Sequence, residues 1–243
     1  MIITLAQVQP KYRDMAYNLA SQETFIRQAA ESGTELIIFP EISISGYEPT
    51  LARELATTTN DKRFQMFQEL ADQLHITIIT SAPLRSEDGI TISLLIYQTG
   101  APVQVYSKQF LPADEASFFV PQECSYRLES GLKIGLAICY ELSVKEHFEK
   151  SNKGGLDIYM ASTAKTADGS DKAHERMAAL ARENSIMTLF VNSIGPADGV
   201  VCNGRSAAWG KDGEKLGELS TDSEGLLIVD TEKQLILEAI HIG

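Results

Sequence analysis

Cysteine is scarce in this chain: Cys124, Cys139 and Cys202 are the only three in 243 residues, and no two form a C-x-x-C pair. An odd, widely spaced set supplies no framework of bridges and fits a reducing compartment. Long apolar runs are also missing. No stretch approaches the roughly 18 to 20 apolar residues that cross a bilayer. The opening MIITLAQVQPKYRD has no basic region ahead of its short apolar run, so it reads as a first strand and not as a signal peptide. Positive charge is in deficit, with 21 Lys and Arg against 33 Asp and Glu for a net charge of −12. That argues against a nucleic-acid partner, because phosphate binding needs a concentrated positive field. The four histidines, His75, His147, His174 and His241, show no metal-ligand spacing. Linkers rich in Pro and Gly, low-complexity tracts and internal repeats are absent too. These absences leave a cytoplasmic globular protein as the expectation, read as one domain over 1–243, with no metal, organic cofactor, nucleic acid or membrane partner.

What is present is a core. The chain is 44% hydrophobic and 22% charged, which at this length buries enough apolar surface to need no staple. Short apolar runs alternate with amphipathic ones. Strands are predicted over 2–7, 35–39, 76–81, 91–97, 102–106, 132–139, 156–160, 187–192, 206–209 and 226–230, the last two closing the chain. Helices are predicted over 17–31, 51–55, 61–73, 144–151 and 171–185, the last capped by Ser170 or Asp171. Strand–helix alternation throughout means an α/β protein with helices covering sheets. In such proteins reactive side chains tend to lie just beyond the carboxyl ends of strands.

That rule selects Glu41 after ELIIF, Lys108 after VQVY and Cys139 at the end of KIGLAI. A cysteine attacks as its thiolate and needs a neighbouring base or cation. A carboxylate in a dry pocket has a raised pKa, so it can take the thiol proton and return it to a leaving amine. An ammonium, with the backbone N–H of Tyr140, can stabilise the developing oxyanion. Each residue also has an ordinary reading: a core cysteine, a capping carboxylate, a solvated lysine. Cys124 and Cys202 lack such charged neighbours and read as packing residues.

The segments IIFPEISISGYEP, YSKQFLP and GLAICYELSVKEHFE, in that order, resemble the three signature blocks of the nitrilase superfamily of carbon–nitrogen hydrolases. GGLDIYMAS, ARENSIMTLFVNSIG and NGRSAAWGKDGEKLGEL extend the likeness from Ile2 to about Asp230. The resemblance implies a four-layer α-β-β-α sandwich with two mixed sheets. It also implies Glu41 as general base, Lys108 as oxyanion stabiliser and Cys139 as nucleophile. EASFFVP resembles the segment that carries a second glutamate, which makes Glu115 the residue that orients Lys108. Glu141 would orient the turn at the nucleophile through hydrogen bonds. Two places depart from the pattern: Leu142–Glu146 replaces the usual arginine and F-P-E, and Gln122 stands where glycine is common.

The implied reaction is hydrolysis of a small amide through a thioester on Cys139, with no cofactor. Tyr47, Phe118, Phe119 and Tyr140 would wall the pocket. Ser162, Thr163 and Lys165, at a strand's carboxyl end, would bind substrate, Lys165 through a substrate carboxylate. A nitrile or N-carbamoyl hydrolase on the same residues, a Cys–His pair using His147 or His174, and a non-catalytic scaffold subunit are the alternatives. The resemblance also implies a homodimer or larger homo-oligomer.

Overall fold

The computed structural model describes residues 1–124, 127–129 and 131–242. Among them the strands form two large mixed sheets. The first has the order β15-β14-β1-β2-β3-β4-β5. Its strands are β1 (Ile2–Gln7), β2 (Leu36–Ile38), β3 (Thr77–Arg85), β4 (Ile90–Tyr97), β5 (Gln104–Ser107), β14 (Glu224–Asp230) and β15 (Leu235–Ile242). The second has the order β13-β12-β9-β8-β7-β6. It comprises β6 (Arg127–Glu129), β7 (Lys133–Ile138), β8 (Ile158–Thr163), β9 (Met187–Asn192), β12 (Ala207–Trp209) and β13 (Lys215–Glu218). A hairpin of β10 (Ile194–Ala197) and β11 (Val200–Asn203) stands apart.

Why these strands read as unbroken apolar runs is plain from where alternate residues go. In β2, Leu36 and Ile38 enter the core between the sheets while Ile37 faces the outer layer. In β8, Ile158 and Met160 face the other sheet, and Tyr159 and Ala161 face outward into a third cluster. Both faces of each central strand are therefore dry, and the period-2 signal of a half-exposed strand disappears. The outer layer over the first sheet is α1 (Met15–Glu31) and α3 (Gln65–Leu74), which bury Leu19, Phe25, Ile26, Phe67 and Leu70 there. A short helix, α2 (Ala52–Leu55), lies between them in sequence. Over the second sheet lie α4 (Lys145–Ser151) and α5 (Ala167–Asn184), which bury Phe148, Met177 and Leu180 against it. The result is the four-layer α-β-β-α sandwich.

Two expectations need correction. The last helix starts at Ala167 behind an N-cap at Thr166, and neither Ser170 nor Asp171 caps it. Ser170 donates to Asn203 Oδ1 at 2.8 Å and Asp171 pairs with Arg205. Both side chains are thus engaged sideways, and the backbone runs on through them as helix. Nor does 226–230 close the chain: β15 follows and pairs antiparallel with β14 along the sheet edge. Ile236 packs inward there while Leu235 and Leu237 are exposed, so apolar residues on both faces hide the alternation.

Candidate active site

Four of the predicted residues meet where the two sheets face each other. Glu41 lies three residues past β2 and Lys108 directly follows β5, both from the first sheet; Cys139 directly follows β7 in the second. Lys108 Nζ donates to Glu41 Oε1 at 2.8 Å and to Glu115 Oε1 at 2.8 Å. All three side chains are essentially inaccessible, at 1% for Glu41, 0% for Lys108 and 3% for Glu115. Tyr47 donates its hydroxyl to Glu115 Oε1 at 2.7 Å. Glu41 Oε2 is buried and accepts no hydrogen bond among the described residues. A buried carboxylate oxygen without a donor is uncommon and needs a reason. Here the Cys139 thiol is the neighbour: its side chain favours the ionised Glu41, and the Glu41 charge in turn raises the thiol's pKa.

Cys139 opens a 3₁₀ turn (Cys139–Ser143) at φ +43°. A left-handed conformation is costly for any residue with a Cβ and tends to persist where the surroundings enforce it. The enforcing group is Glu141, fully buried, whose Oε2 accepts from Ile138 N at 2.8 Å and from the Tyr106 hydroxyl at 2.6 Å. Its Oε1 accepts from Gln109 N at 2.6 Å and Phe110 N at 3.3 Å. One carboxylate therefore ties the turn at Cys139 to the backbone just after Lys108. Replacing it by glutamine turns an acceptor-only group into one that meets backbone N–H groups with its own NH₂. We expect Glu141→Gln to lower kcat about 10²-fold through misplacement of the two reacting groups. Steady-state kinetics with a melting curve check this; unchanged kcat in a folded variant would remove the positioning role.

Charge and burial set the protonation states. Burial is the largest influence on Glu41 and raises its pKa; Lys108 opposes it and Glu115 adds to it. Burial would lower the Lys108 pKa, but the charges of Glu41, Cys139 and Glu115 outweigh it and hold the ammonium firmly protonated. The Cys139 thiol is pushed up to about 11 by burial and then by Glu41, against the pull of Lys165, Lys108 and the Ala164 backbone N–H. A neutral thiol beside a carboxylate of raised pKa is a pair that can exchange a proton at small cost, which is what a thiol nucleophile and its base require. His147 is not available as that base. Its Nε2 lies 2.7 Å from the Tyr106 hydroxyl and its Nδ1 3.0 Å from that of Tyr159, and burial lowers its pKa to about 4. His174 Nε2 is 2.9 Å from the Arg205 carbonyl.

The carbon-nitrogen hydrolase family model matches residues 2–240. The chain belongs to the carbon-nitrogen hydrolase family. It is a hydrolase of carbon–nitrogen bonds other than peptide bonds. It is 26% identical to the "Probable nitrilase" of Schizosaccharomyces pombe, over 93% of this chain and 86% of that protein. To the (R)-stereoselective amidase of a Pseudomonas species it is 24% identical, over 91% of this chain and 82% of that protein. A glutamate-to-glutamine mutant of the amidase of Nesterenkonia sp. AN1, with acrylamide added at its active-site cysteine, superposes with a TM-score of 0.84 at 26% identity. That match covers 95% of this chain and 92% of the other. A variant of that amidase with its cysteine replaced by alanine holds butyramide and superposes with a TM-score of 0.85 at 26% identity, over 95% of this chain and 90% of the other.

In this carbon-nitrogen hydrolase the remaining predicted residues divide. Tyr47 is half-buried against Glu115, and Phe118 and Tyr140 are exposed at 38% and 40%. Phe119 is core. Ser162 and Thr163 are fully buried with hydroxyls already engaged, Ser162 donating to the Phe39 carbonyl at 2.9 Å and Thr163 to the Val191 carbonyl at 2.9 Å. Ser162 thus stitches β8 to the strand that leads to Glu41, and the structure does not bring these two hydroxyls to the thiol. Lys165 is half-buried beyond β8. Sequence reasoning missed Tyr106, the donor that orients Glu141; nothing distinguishes it from any apolar-strand tyrosine before the fold is known. Among the described residues no group of three or more His, Cys, Asp or Glu side chains is placed to hold a metal ion. No helix among them is long and apolar enough to cross a membrane.

Proposed function

We propose that the chain hydrolyses a small amide through a thioester on Cys139. The observation that carries this is the Lys108 ammonium held 2.8 Å from each of two buried carboxylates, with the second oxygen of Glu41 unpartnered among the described residues and the Cys139 thiol as its neighbour. In this reading Glu41 takes the Cys139 proton as sulfur attacks the amide carbon. Lys108 and the Tyr140 N–H stabilise the oxyanion, acting in a dry site where such donors are most effective. Glu41 then returns its proton to the departing nitrogen, and ammonia or an amine leaves. Water, deprotonated by Glu41, attacks the thioester carbon and releases the acid and the free thiol. Glu115 keeps Lys108 aimed, and Tyr47 keeps Glu115 aimed.

Ammonia release across short primary amides, N-carbamoyl compounds and nitriles, with Cys139→Ala as control, tests the reading. Turnover that survives in Cys139→Ala would defeat it. Failure of stoichiometric iodoacetamide labelling at Cys139 would point to a scaffold subunit instead. The same assay gives a pH dependence with a definite sign. Glu41 must be ionised to act as base, and its pKa lies above the ordinary 4.5. We therefore expect kcat/KM to fall about tenfold per pH unit on the acid side, below an apparent pKa higher than 4.5. A profile flat down to pH 4.5 would mean that Glu41 is not the base.

A further inference from the structure

Lys165 is a cation just beyond the strand that neighbours Cys139, and among the described residues no acid pairs with it. The parallel register of β7 and β8 sets Ile138 across from Ser162, so the segment Thr163–Lys165 leaves its strand alongside Cys139. The Ala164 N–H and the charge of Lys165 both favour the thiolate of Cys139, Lys165 more than Lys108 does. The backbone of Lys165 is fixed on both sides. Its N–H donates to Asn192 Oδ1 at 2.7 Å, and its carbonyl accepts from Asn192 Nδ2 at 3.0 Å and from Asn203 N at 3.2 Å. Asn192 is itself fully buried, so the lysine side chain starts from a rigid point.

Lys165 is half-buried, and among the described residues its ammonium has no carboxylate within 4.0 Å. The contrast with Lys108 is informative. Lys108 is already balanced by Glu41 and Glu115, so it offers little net attraction to a second anion. Two carboxylates around one ammonium leave the inner site with an excess negative charge, which repels an anionic substrate unless a further cation faces it. Lys165 is that cation, and its long stem lets the charge meet a group at the end of an acyl chain.

We propose that Lys165 anchors an anionic group at the far end of the acyl chain, making the preferred substrate the monoamide of a short dicarboxylate rather than a neutral alkyl amide. This rests on the reading of Cys139 as an amide-cleaving nucleophile. Succinamate and butyramide are a matched pair, differing by a carboxylate in place of a methyl. Wild-type protein favours succinamate in kcat/KM, and Lys165→Met lowers the succinamate-to-butyramide ratio roughly 10- to 100-fold, the range of a charge-assisted hydrogen bond. Both rates fall in that variant because the thiolate loses a neighbouring cation; the ratio isolates the anchor, and the succinamate loss lies in KM. Lys165→Arg keeps the preference, which separates charge from folding. A wild-type ratio of one or below, or a ratio unmoved in Lys165→Met, overturns the proposal. If neither amide releases ammonia, the hydrolytic reading fails, and protection of Cys139 from iodoacetamide decides the anchor alone. Protection by succinamate at lower concentration than by butyramide, lost in Lys165→Met, supports it; equal protection by the two sinks it.

Discussion

Glu41→Gln is expected to reduce kcat/KM by about 10³- to 10⁴-fold, the upper part of what a general base contributes, while making Cys139 ionise more easily. The two effects have opposite signs because Glu41 acts on the thiol in two ways. Its charge is, after burial, the largest influence holding the thiol up at about 11. Removing that charge leaves Lys165, Lys108 and the Ala164 N–H to pull the thiol down. Thiolate is therefore more abundant in the variant at any pH between, and the midpoint of iodoacetamide labelling moves to lower pH. Hydrolysis still collapses, because no group remains to protonate the departing nitrogen or to activate water. Glutamine is nearly isosteric and retains an oxygen acceptor for Lys108 Nζ, so the fold keeps one of the 2.8 Å contacts. The paired measurement is steady-state ammonia release and the pH dependence of labelling. Hydrolysis within tenfold of wild type, or a labelling midpoint that rises, would show that Glu41 is a structural partner of Lys108 and not the base.

How much of this was legible beforehand depends on what each element had to announce. β1 and β9 have the bounds expected from their apolar runs, Ile2–Gln7 and Met187–Asn192. The helix expected over 17–31 is present as Met15–Glu31, with Asp14 accepting from Tyr17 N as its cap. Elements without a run of residues that bury one face were not legible. The β10–β11 hairpin presents Val200 and Val201 outward, at 48% and 64% exposure, and so lacks the pattern of a strand that buries one face. The three-residue strand β6 is too short for periodicity to register.

In the site, residue types at strand ends marked Glu41, Lys108 and Cys139, and the family blocks added Glu115. Invisible in the sequence were the conformations that bring these groups together. Ile42 at φ +48° and Cys139 at φ +43° are left-handed without being glycine, and nothing in their own chemistry calls for it. The cause is tertiary: Ser81 Oγ accepts from Ile42 N at 2.8 Å, and Glu141, two residues after Cys139, is held by the Tyr106 hydroxyl and Gln109 N at 2.6 Å each. Local propensity yields at both turns to hydrogen bonds from distant strands. For the same reason Ser162 and Thr163 looked like substrate ligands: position along a strand was readable, whereas the carbonyls that claim their hydroxyls belong to Phe39, just past β2 in the other sheet, and to Val191 in β9.

Lys108→Met should have the largest effect on the folded state itself. The ammonium is the only group that bonds both Glu41 and Glu115 among the described residues, and all three are buried. A methionine of similar shape leaves two carboxylates facing each other in a dry site without a counter-charge. Losing one partner of a buried ion pair typically costs about 3–5 kcal/mol. For a chain of this length that corresponds to a fall in Tm of roughly 6–20 °C. The deficit has a pH signature. With the lysine gone, one of the two carboxyls holds its proton to a higher pH in the folded protein than in the unfolded chain. For an acid with a raised folded pKa, the folded state binds more protons between the two values, so stability falls as pH rises through that interval. Melting curves of variant and wild type should therefore lie nearest together at about pH 4 to 5, near the unfolded carboxyl pKa, and separate as pH increases. Neutralising the second acid should close much of the gap: Lys108→Met with Glu115→Gln is expected to melt above Lys108→Met alone at neutral pH. Activity should not follow, because the oxyanion loses its main cation, a loss worth about 10²- to 10³-fold on its own. A Lys108→Met protein that melts within about 2 °C of wild type at all pH values, less than even 1 kcal/mol would produce, would mean that water or a shifted side chain already shields the two acids. The charge balance assigned to this site would then be wrong.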